Sequence, residues 1–348
     1  MSGDRARSAG NRRASGDRTS EPPRGRSAPP STVLAGRYAL HAEIGRGGCA
    51  VVYEAQDLRL GRVVALKLVK ENARDVQATA RLAREARAGA AIHHPNVCGI
   101  VDAGYLEDGR PFLVMERLHG ETLTRCLARI GRLSPMDAID VALQLLSALD
   151  TTHAIGIVHR DLKPDNVFLV PRHGCGPLVK LLDFGMCRRA TPTLRDDATL
   201  TRAGQVVGTP EYMSPEQVSG NRAFDARIDI YAVGVILYEA LSGQRAFQGK
   251  DAREVVISVL SHSLKPLRAI RPEIPLVLDR IVARAMERDP AFRYGTALEF
   301  QADLLQAKVA LQSRQDARAH QAAGRAEAEP DDWEQPTIQL PPRHRRSA

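Results

Sequence analysis

The sequence has little cysteine, and what it has is scattered. Five cysteines, Cys49, Cys98, Cys126, Cys175 and Cys187, stand among 348 residues with no Cys-x-x-Cys pair. An odd, dispersed set argues against a disulfide framework or a zinc site and fits a reducing compartment. Long apolar runs are also missing. The most apolar helical stretch, Ile228–Leu241, is too short to cross a bilayer and carries Asp229 and Glu239. Residues 1–30 lack the apolar run of a signal peptide. No Gly-x-x-x-x-Gly-Lys-Ser/Thr sequence occurs, so a P-loop hydrolase is not supported. No internal repeat is visible. These absences lead to the expectation of a soluble cytoplasmic protein with no membrane span.

What is present is an ordinary apolar fraction, 43%, in a chain long enough for a sizeable core. The net charge of +8 is uneven. Residues 1–36 hold seven arginines against Asp4, Asp17 and Glu21, so about half the excess lies there. Such a tail can meet nucleic acid, anionic lipid or an acidic partner. The plainer reading is a solvated, disordered basic arm, with no specific nucleic-acid binding.

Patterned sequence begins near Arg37. Residues 37–117 read mainly as short strands: Tyr38–Ile44, Val51–Ala55, Val63–Val69, Val97–Tyr105 and Phe112–Glu116. One helix, from about Asp75 to Ile92, interrupts them. After Leu118 helical patterns dominate: Thr122–Ile130, Ser134–Ile155, Asp225–Ser242, Ala252–Leu260 and Leu276–Arg288. Ser134 before Pro135 reads as an N-cap and first helical residue. A β pair, Val167–Val170 with Leu178–Leu182, lies among them, and a last helix starts near Thr296 and continues to about Ala326. The expected fold class is α+β and two-lobed. Its small β-rich lobe, with one helix, covers 37–117, and a larger, mainly α-helical lobe covers 118–311. A hinge falls near 116–120, and residues 312–348 form a helical extension and a disordered tail. A cleft between two such lobes is a natural ligand site.

Several residues in this frame need a chemical reason. Gly45-Arg46-Gly47-Gly48 follows an apolar strand, which alone fits an ordinary hairpin. Val64-Ala65-Leu66-Lys67 then puts one lysine in an apolar strand, costly unless it snorkels or is paired. Glu85, on the lone helix, is the candidate partner. His159-Arg160-Asp161-Leu162-Lys163-Pro164-Asp165-Asn166, followed by Asp183-Phe184-Gly185, packs polar groups densely between apolar runs. Phosphoryl transfer supplies a reason. The transferred group carries charge on several oxygens, so a site must position and neutralise it. Magnesium does this, and Asn166 and Asp183 offer it hard oxygen ligands. A separate carboxylate must accept the proton of the attacking hydroxyl, and Asp161 fits that role.

Over about residues 37–308 the set resembles the eukaryotic-type (Hanks-type) serine/threonine protein kinases of bacteria. The resemblance implies the bilobal protein-kinase fold and transfer of the γ-phosphoryl group of ATP to Ser or Thr hydroxyls of proteins, with Mg²⁺, or Mn²⁺, as the metal. By it, Gly45, Gly47 and Gly48 cover the phosphates, in a nucleotide-lining run that includes Ile44, Arg46, Cys49 and Ala50. Lys67 holds the α- and β-phosphates and pairs with Glu85. Asp161 is the base, Lys163 contacts the γ-phosphate, and Asn166 and Asp183 bind metal. Val52 and Ala65 roof the adenine and Phe168 floors it. Met115 is the gatekeeper, and the backbone of Glu116 and Leu118 bonds the base. Thr209 bonds to the catalytic aspartate, Asp229 holds the catalytic-loop backbone, and Glu216 pairs with Arg293. Lys163 and Thr209 are what favour Ser/Thr over Tyr.

The chain departs from the pattern at Ala50, which replaces a third glycine and tolerates positive φ poorly. Gly89, one turn after Glu85, is expected to leave a gap that weakens the seating of this helix. Ser214-Pro215-Glu216 stands for Ala-Pro-Glu. Cys49 and Cys187 are either redox-sensitive or ordinary small side chains.

Arg160 resembles the arginine that binds a phosphate on the activation segment, here Asp183–Glu216. The segment's Thr191, Thr193, Thr199 and Thr201 are acceptors, and Thr199 or Thr201 is the expected autophosphorylation site, through a transient homodimer. Two alternatives stay open. A pseudokinase scaffold is expected to have lost one of Lys67, Asp161, Asn166 or Asp183, and all are present. A kinase for small hydroxylated molecules usually lacks the Gly208-Thr209-Pro210-Glu211-Tyr212 and Ser214-Pro215-Glu216 segment.

Overall fold

The computed structural model describes residues 32–48, 50–70, 82, 85, 86, 89, 91–183, 188–189, 209–220, 225–262 and 264–328. For 188–189 and 318–328 only the backbone is described. The tails 1–31 and 329–348, Cys49, most of the 75–92 helix and the centre of the activation segment lie outside the described residues.

The small lobe is one antiparallel sheet. Its strands are β1 (Val33–Leu34), β2 (Tyr38–Arg46), β3 (Ala50–Asp57), β4 (Arg62–Val69), β5 (Ile100–Tyr105) and β6 (Pro111–Glu116), in the order β1-β2-β3-β4-β6-β5. Strand alternation gives the sheet two apolar faces. On one, Tyr38, Ala55, Val64, Leu66, Leu68, Phe112 and Val114 form a core. On the other, Val69 and Leu113 pack with Leu82 of the helix that carries Glu85. Of that helix the described positions are Leu82, Glu85, Ala86 and Gly89.

The large lobe follows a linker at 117–120. It comprises β7 (Glu121–Thr122), α1 (Leu123–Ile130), α2 (Pro135–Ala154), β8 (Ile157–Val158), β9 (Val167–Arg172), β10 (Cys175–Leu181), β11 (Arg188–Arg189) and α3 (Pro215–Val218). Then come α4 (Arg227–Ser242), α5 (Ala252–Ser261), α6 (Leu267–Ile270), α7 (Leu276–Ala285) and α8 (Ala297–Ala328). Helix α4 is the centre, with 14 of its 16 residues buried. That burial explains its all-round apolar sequence. As expected, Ser134 caps α2, its Oγ accepting from Asp137 N at 3.1 Å, with Pro135 at the first position. Thr296 caps α8 in the same way, 3.1 Å from Glu299 N. Among the described residues no helix is long and apolar enough to cross a membrane.

One strand is shorter than its apolar pattern suggests. Val97–Gly99 does not extend β5. Val97 makes an isolated parallel bridge to Leu181, and Cys98 N donates to Leu181 O at 2.9 Å. Asn96 Nδ2 reaches Val179 O and Gln144 Oε1 at 2.9 and 3.0 Å. Ile92 and Val97 accordingly sit in the core of the large lobe. Apolar alternation is blind to this, because a residue buried against β10 reads like one buried in a sheet.

At the start of β2, Arg37 grips buried Asp57 with Nε at 2.9 Å and Nη2 at 2.7 Å, and Asp102 with Nη1 at 2.7 Å. Tyr38 Oη adds a 2.6 Å bond to Asp102. The Arg37 bonds hold the Asp57 carboxyl at about 2, against the opposing pull of burial and with help from the Arg59 and Leu60 amides. A depressed acid contributes stability that is present above its unfolded value near 4 and lost as pH falls through the folded one. We expect urea melts of the native chain to weaken more between about pH 4 and about pH 2 than those of Asp57→Asn. Equal slopes would show that the pair does not act this way.

Candidate active site

The register of the small sheet brings four expected residues to one face. Val52 lies across from Lys67 in the β3–β4 pair, and Ala65 across from Met115 in the β4–β6 pair. Lys67 is nearly buried and donates to Glu85 Oε1 and Oε2 at 2.9 and 3.0 Å. Its Nζ also lies 2.5 Å from Asp183 Oδ1. One ammonium is thus shared by two carboxylates. Burial alone would lower Lys67, but the charges of Asp183 and Glu85 raise it. Burial pushes Glu85 up, Lys67 opposes this and Asp183 adds to it. Asp183 is lowered, because Lys67 overrides the surrounding protein that opposes its ionisation.

The 159–166 loop supplies the other groups. Asp161 Oδ2 accepts from Lys163 Nζ at 2.9 Å, and the same Nζ is 3.4 Å from Thr209 Oγ1. Lys163 therefore stands between the aspartate and the threonine. Asn166 Nδ2 donates to the Asp161 carbonyl at 2.7 Å, and its own carbonyl accepts from Leu182 N at 2.8 Å, one residue before Asp183. Arg160 and Asp183 both have positive φ, 72° and 56°. Such backbone is strained for non-glycine residues and persists only where neighbours impose it.

Asp229 imposes it at Arg160. Its carboxylate accepts from His159 N at 2.8 Å, Arg160 N at 2.9 Å and the His153 ring at 2.8 Å. Burial would raise this acid, but the His153 bond and the neighbouring donors bring it below its usual range. Glu216 and Arg293 form a two-pronged pair at 2.7 and 2.8 Å. The guanidinium is fully buried, stacks over Tyr231 at 4.8 Å, and gives its remaining donors to the carbonyls of Arg227, Glu287 and Arg288.

Gly45 and Arg46 end β2, Gly47 and Gly48 lie in the β2–β3 turn and Ala50 opens β3, with Gly47 N on Ala50 O at 2.9 Å. Ile44 precedes it on β2, half-buried. Glu116 ends β6, Leu118 lies in the linker, and Phe168 is on β9, paired with Thr122. Cys49, Cys187, Thr199 and Thr201 lie outside the described residues.

Sequence reasoning missed three contributors. Gln217 Nε2 donates to Arg160 O at 3.0 Å. Gly120 has φ +149°, and a Cβ there would sit 2.0 Å from Leu169 O, so only glycine lets the linker pass β9 so closely. Lys180 bonds Glu116 Oε1 at 2.6 Å, and that oxygen also takes Gly99 N at 2.7 Å. A lone lysine in apolar Leu178–Leu182 was the same signal that singled out Lys67.

The expected gap at Gly89 is not there. A Cβ on Gly89 would lie 2.0 Å from Ile100 Cδ1 and 2.7 Å from Cγ1. Ile100 of β5 fills the space, and the glycine is what lets helix and strand approach. The Lys67–Glu85 pair is formed with glycine in place. Gly89→Leu should therefore destabilise the protein by about 1–3 kcal/mol, the usual effect of overpacking. Denaturant melts check this, and an unchanged midpoint would mean that Ile100 moves freely aside.

Comparison with known proteins agrees with this geometry. The chain is 39% identical over 275 residues to "Serine/threonine-protein kinase pkn3" of Myxococcus xanthus, covering 78% of this chain and 50% of that protein. It is 40% identical over 285 residues to "Probable serine/threonine-protein kinase PknB" of Bifidobacterium longum, covering 79% and 40%. It is 38% identical over 273 residues to "Serine/threonine-protein kinase PknA" of Mycobacterium tuberculosis, covering 77% and 60%. The chain thus spans between 40% and 60% of the length of these relatives. Residues 38–305, most of the chain, match the protein kinase domain family. With its antiparallel small lobe, its helical large lobe and the polar cleft between them, the chain belongs to the protein kinase domain family.

Proposed function

We propose that the chain is a serine/threonine protein kinase, transferring the γ-phosphoryl group of ATP to Ser or Thr hydroxyls of proteins. The observation that carries this is one bonded path. It runs from Lys67 through Asp183 and Leu182 to Asn166, then Asp161, Lys163 and Thr209. The names of the relatives support the same reading. A scaffold gains no support from the site, because Lys67, Glu85, Asp161, Asn166 and Asp183 are bonded to one another or to shared partners.

In this reading the acceptor oxygen bonds to the γ-phosphorus while the bond to the β–γ bridging oxygen breaks and ADP leaves. Asp161 takes the hydroxyl proton. Among the described residues Lys163 engages it through Oδ2, so Oδ1 is the atom we assign to the proton. Lys163 brings positive charge to the transferred group, and Thr209 holds Lys163 from the far side. Lys67 is the donor to the α- and β-phosphates, oriented by Glu85. Gly45, Gly47 and Gly48 cover the phosphates, Val52, Ala65 and Phe168 enclose the adenine beside Met115, and the backbone of Glu116 and Leu118 bonds it.

Mg²⁺ or Mn²⁺ would be held by Asn166 and Asp183. The donor set fits. Asn166 commits its NH₂ to Asp161 O, which leaves its amide oxygen as the ligand atom, and Asp183 offers a carboxylate. Among the described residues no three His, Cys, Asp or Glu side chains cluster, so a metal here would share its remaining ligands with phosphate and water. When bound it supplies neutralisation of phosphate charge. We place the action in the cytoplasm, which suits the free thiols of Cys98, Cys126 and Cys175.

With γ-labelled ATP, Mg²⁺ and a generic basic protein, the native chain should label the protein and Asp161→Asn should do so about 10²–10⁴-fold more slowly. Equal labelling would remove Asp161 as base, and no labelling by either would revive the scaffold. We also propose trans-autophosphorylation at Thr199 or Thr201, read by Arg160. Mass spectrometry after incubation with Mg·ATP should find phosphate between residues 190 and 203 and none in Asp161→Asn.

A further inference from the structure

Strand β4 ends at Val69, across from Ala50, and Lys70 follows it beside the β2–β3 turn. Side chains alternate along β4, so Lys70 falls on the face of Leu66 and Leu68, opposite Lys67. A cavity of about 480 Å³ marks that outer face, lined in part by Arg46, Tyr53, Leu68, Lys70 and Arg110. Two of its three cations are taken up locally, Arg46 by Glu43 at 2.7 Å and Arg110 by Asp108 at 2.5 Å. The third turns to the glycine turn. Lys70 Nζ donates to Gly47 O at 2.6 Å and to Gly48 O at 3.1 Å.

A trans peptide points its carbonyl and the following N–H in opposite directions. Holding Gly47 O from the outer face therefore turns the N–H of Gly48 toward the inner face, where Lys67 lies. An ammonium on the carbonyl also polarises the peptide and makes that N–H a better donor to an anion. A turn with two free glycines would otherwise sample many orientations. We infer that Lys70 is a positioning residue for the nucleotide: from outside the cleft it fixes the glycine turn with its amide facing the phosphates. This rests on the reading of the cleft as an ATP site.

The test compares the full chain with Lys70→Met and Lys70→Arg, measuring binding of Mg·ATP and of adenosine by calorimetry, together with KM and kcat. Lys70→Met should weaken Mg·ATP about tenfold, the scale of losing bonds from a charged donor, and raise KM for ATP in step with kcat little changed. Adenosine, which has no phosphate, should bind the native chain and Lys70→Met alike. Lys70→Arg, which keeps charge and donors, should recover most of the affinity. Unchanged Mg·ATP binding by Lys70→Met would overturn the inference. So would equal weakening of adenosine and ATP, which would mean that Lys70 supports the lobe as a whole. A native chain that binds neither compound would overturn the proposed function itself, an outcome distinct from either of these.

Discussion

A buried carboxylate on the central helix holds the 159–166 loop, which contains the proposed base. Asp229 is 1% exposed, and an ionised group so placed is tolerable only when its lone pairs are filled. Here they are filled by two successive backbone amides, His159 and Arg160, and by the ring of His153. The same bonds keep Arg160 at φ 72°, a conformation its side chain disfavours. The other end of that residue is held as well, since Gln217 takes the Arg160 carbonyl. Gln217 follows Glu216, which Arg293 clamps to the C-terminal part of the lobe. The 159–166 loop, the 214–217 segment and the helical core are thus one bonded unit. The proposed base, Asp161, inherits its place from groups that take no part in the proposed transfer.

The small lobe is positioned by a different device. Residues 92–99 cross into the large lobe and are bonded there before the chain enters β5. His94 meets Ser147 at 3.1 Å, Asn96 meets Gln144 and Val179, and Cys98 meets Leu181. Glu116, at the start of the linker, joins this anchor through Gly99 N and Lys180. Lys180 lies on β10, the strand that leads to Asp183. The linker is therefore tied from behind to the strand that delivers a proposed metal ligand. Movement of the small lobe must either carry this contact along or break a charge-assisted bond.

The sequence conveyed the large features because burial writes periodic patterns. The central helix, the capped α2 and the small-lobe strands were readable from apolar spacing and from Ser134-Pro135. The polar residues of the cleft were readable because charge in apolar surroundings demands a partner, and Lys67 found Glu85 as that argument required. What was not readable depends on a partner far along the chain. Val97 reads as a strand residue until Leu181 is seen beside it. Gly89 reads as a missing side chain until Ile100 is seen occupying its space. Gln217 and Lys70 carry no local oddity, since a polar residue at an element's end is ordinary, and only the acceptor carbonyls give them a role. Lys180 carries the same local signal as Lys67, a lone cation in an apolar strand.

The electrostatics of Lys67 decide which form of it faces the cleft. Burial favours the neutral amine, and a lysine with no partner there would shed its proton. Two carboxylates within 3.0 Å reverse that preference, so the group stays an ammonium. The two acids do not share the consequence equally. Asp183 stays on the low side of its range, while Glu85, deeper and facing a second negative charge, is pushed up. With both acids ionised, the trio would carry one more negative charge than positive. Glu85 is tied to Lys67 by both oxygens and Asp183 by one, and Asp183 is the more exposed of the two, which suits its proposed role as a metal ligand. That asymmetry is what the proposed division into an orienting acid, Glu85, and a ligand acid, Asp183, requires.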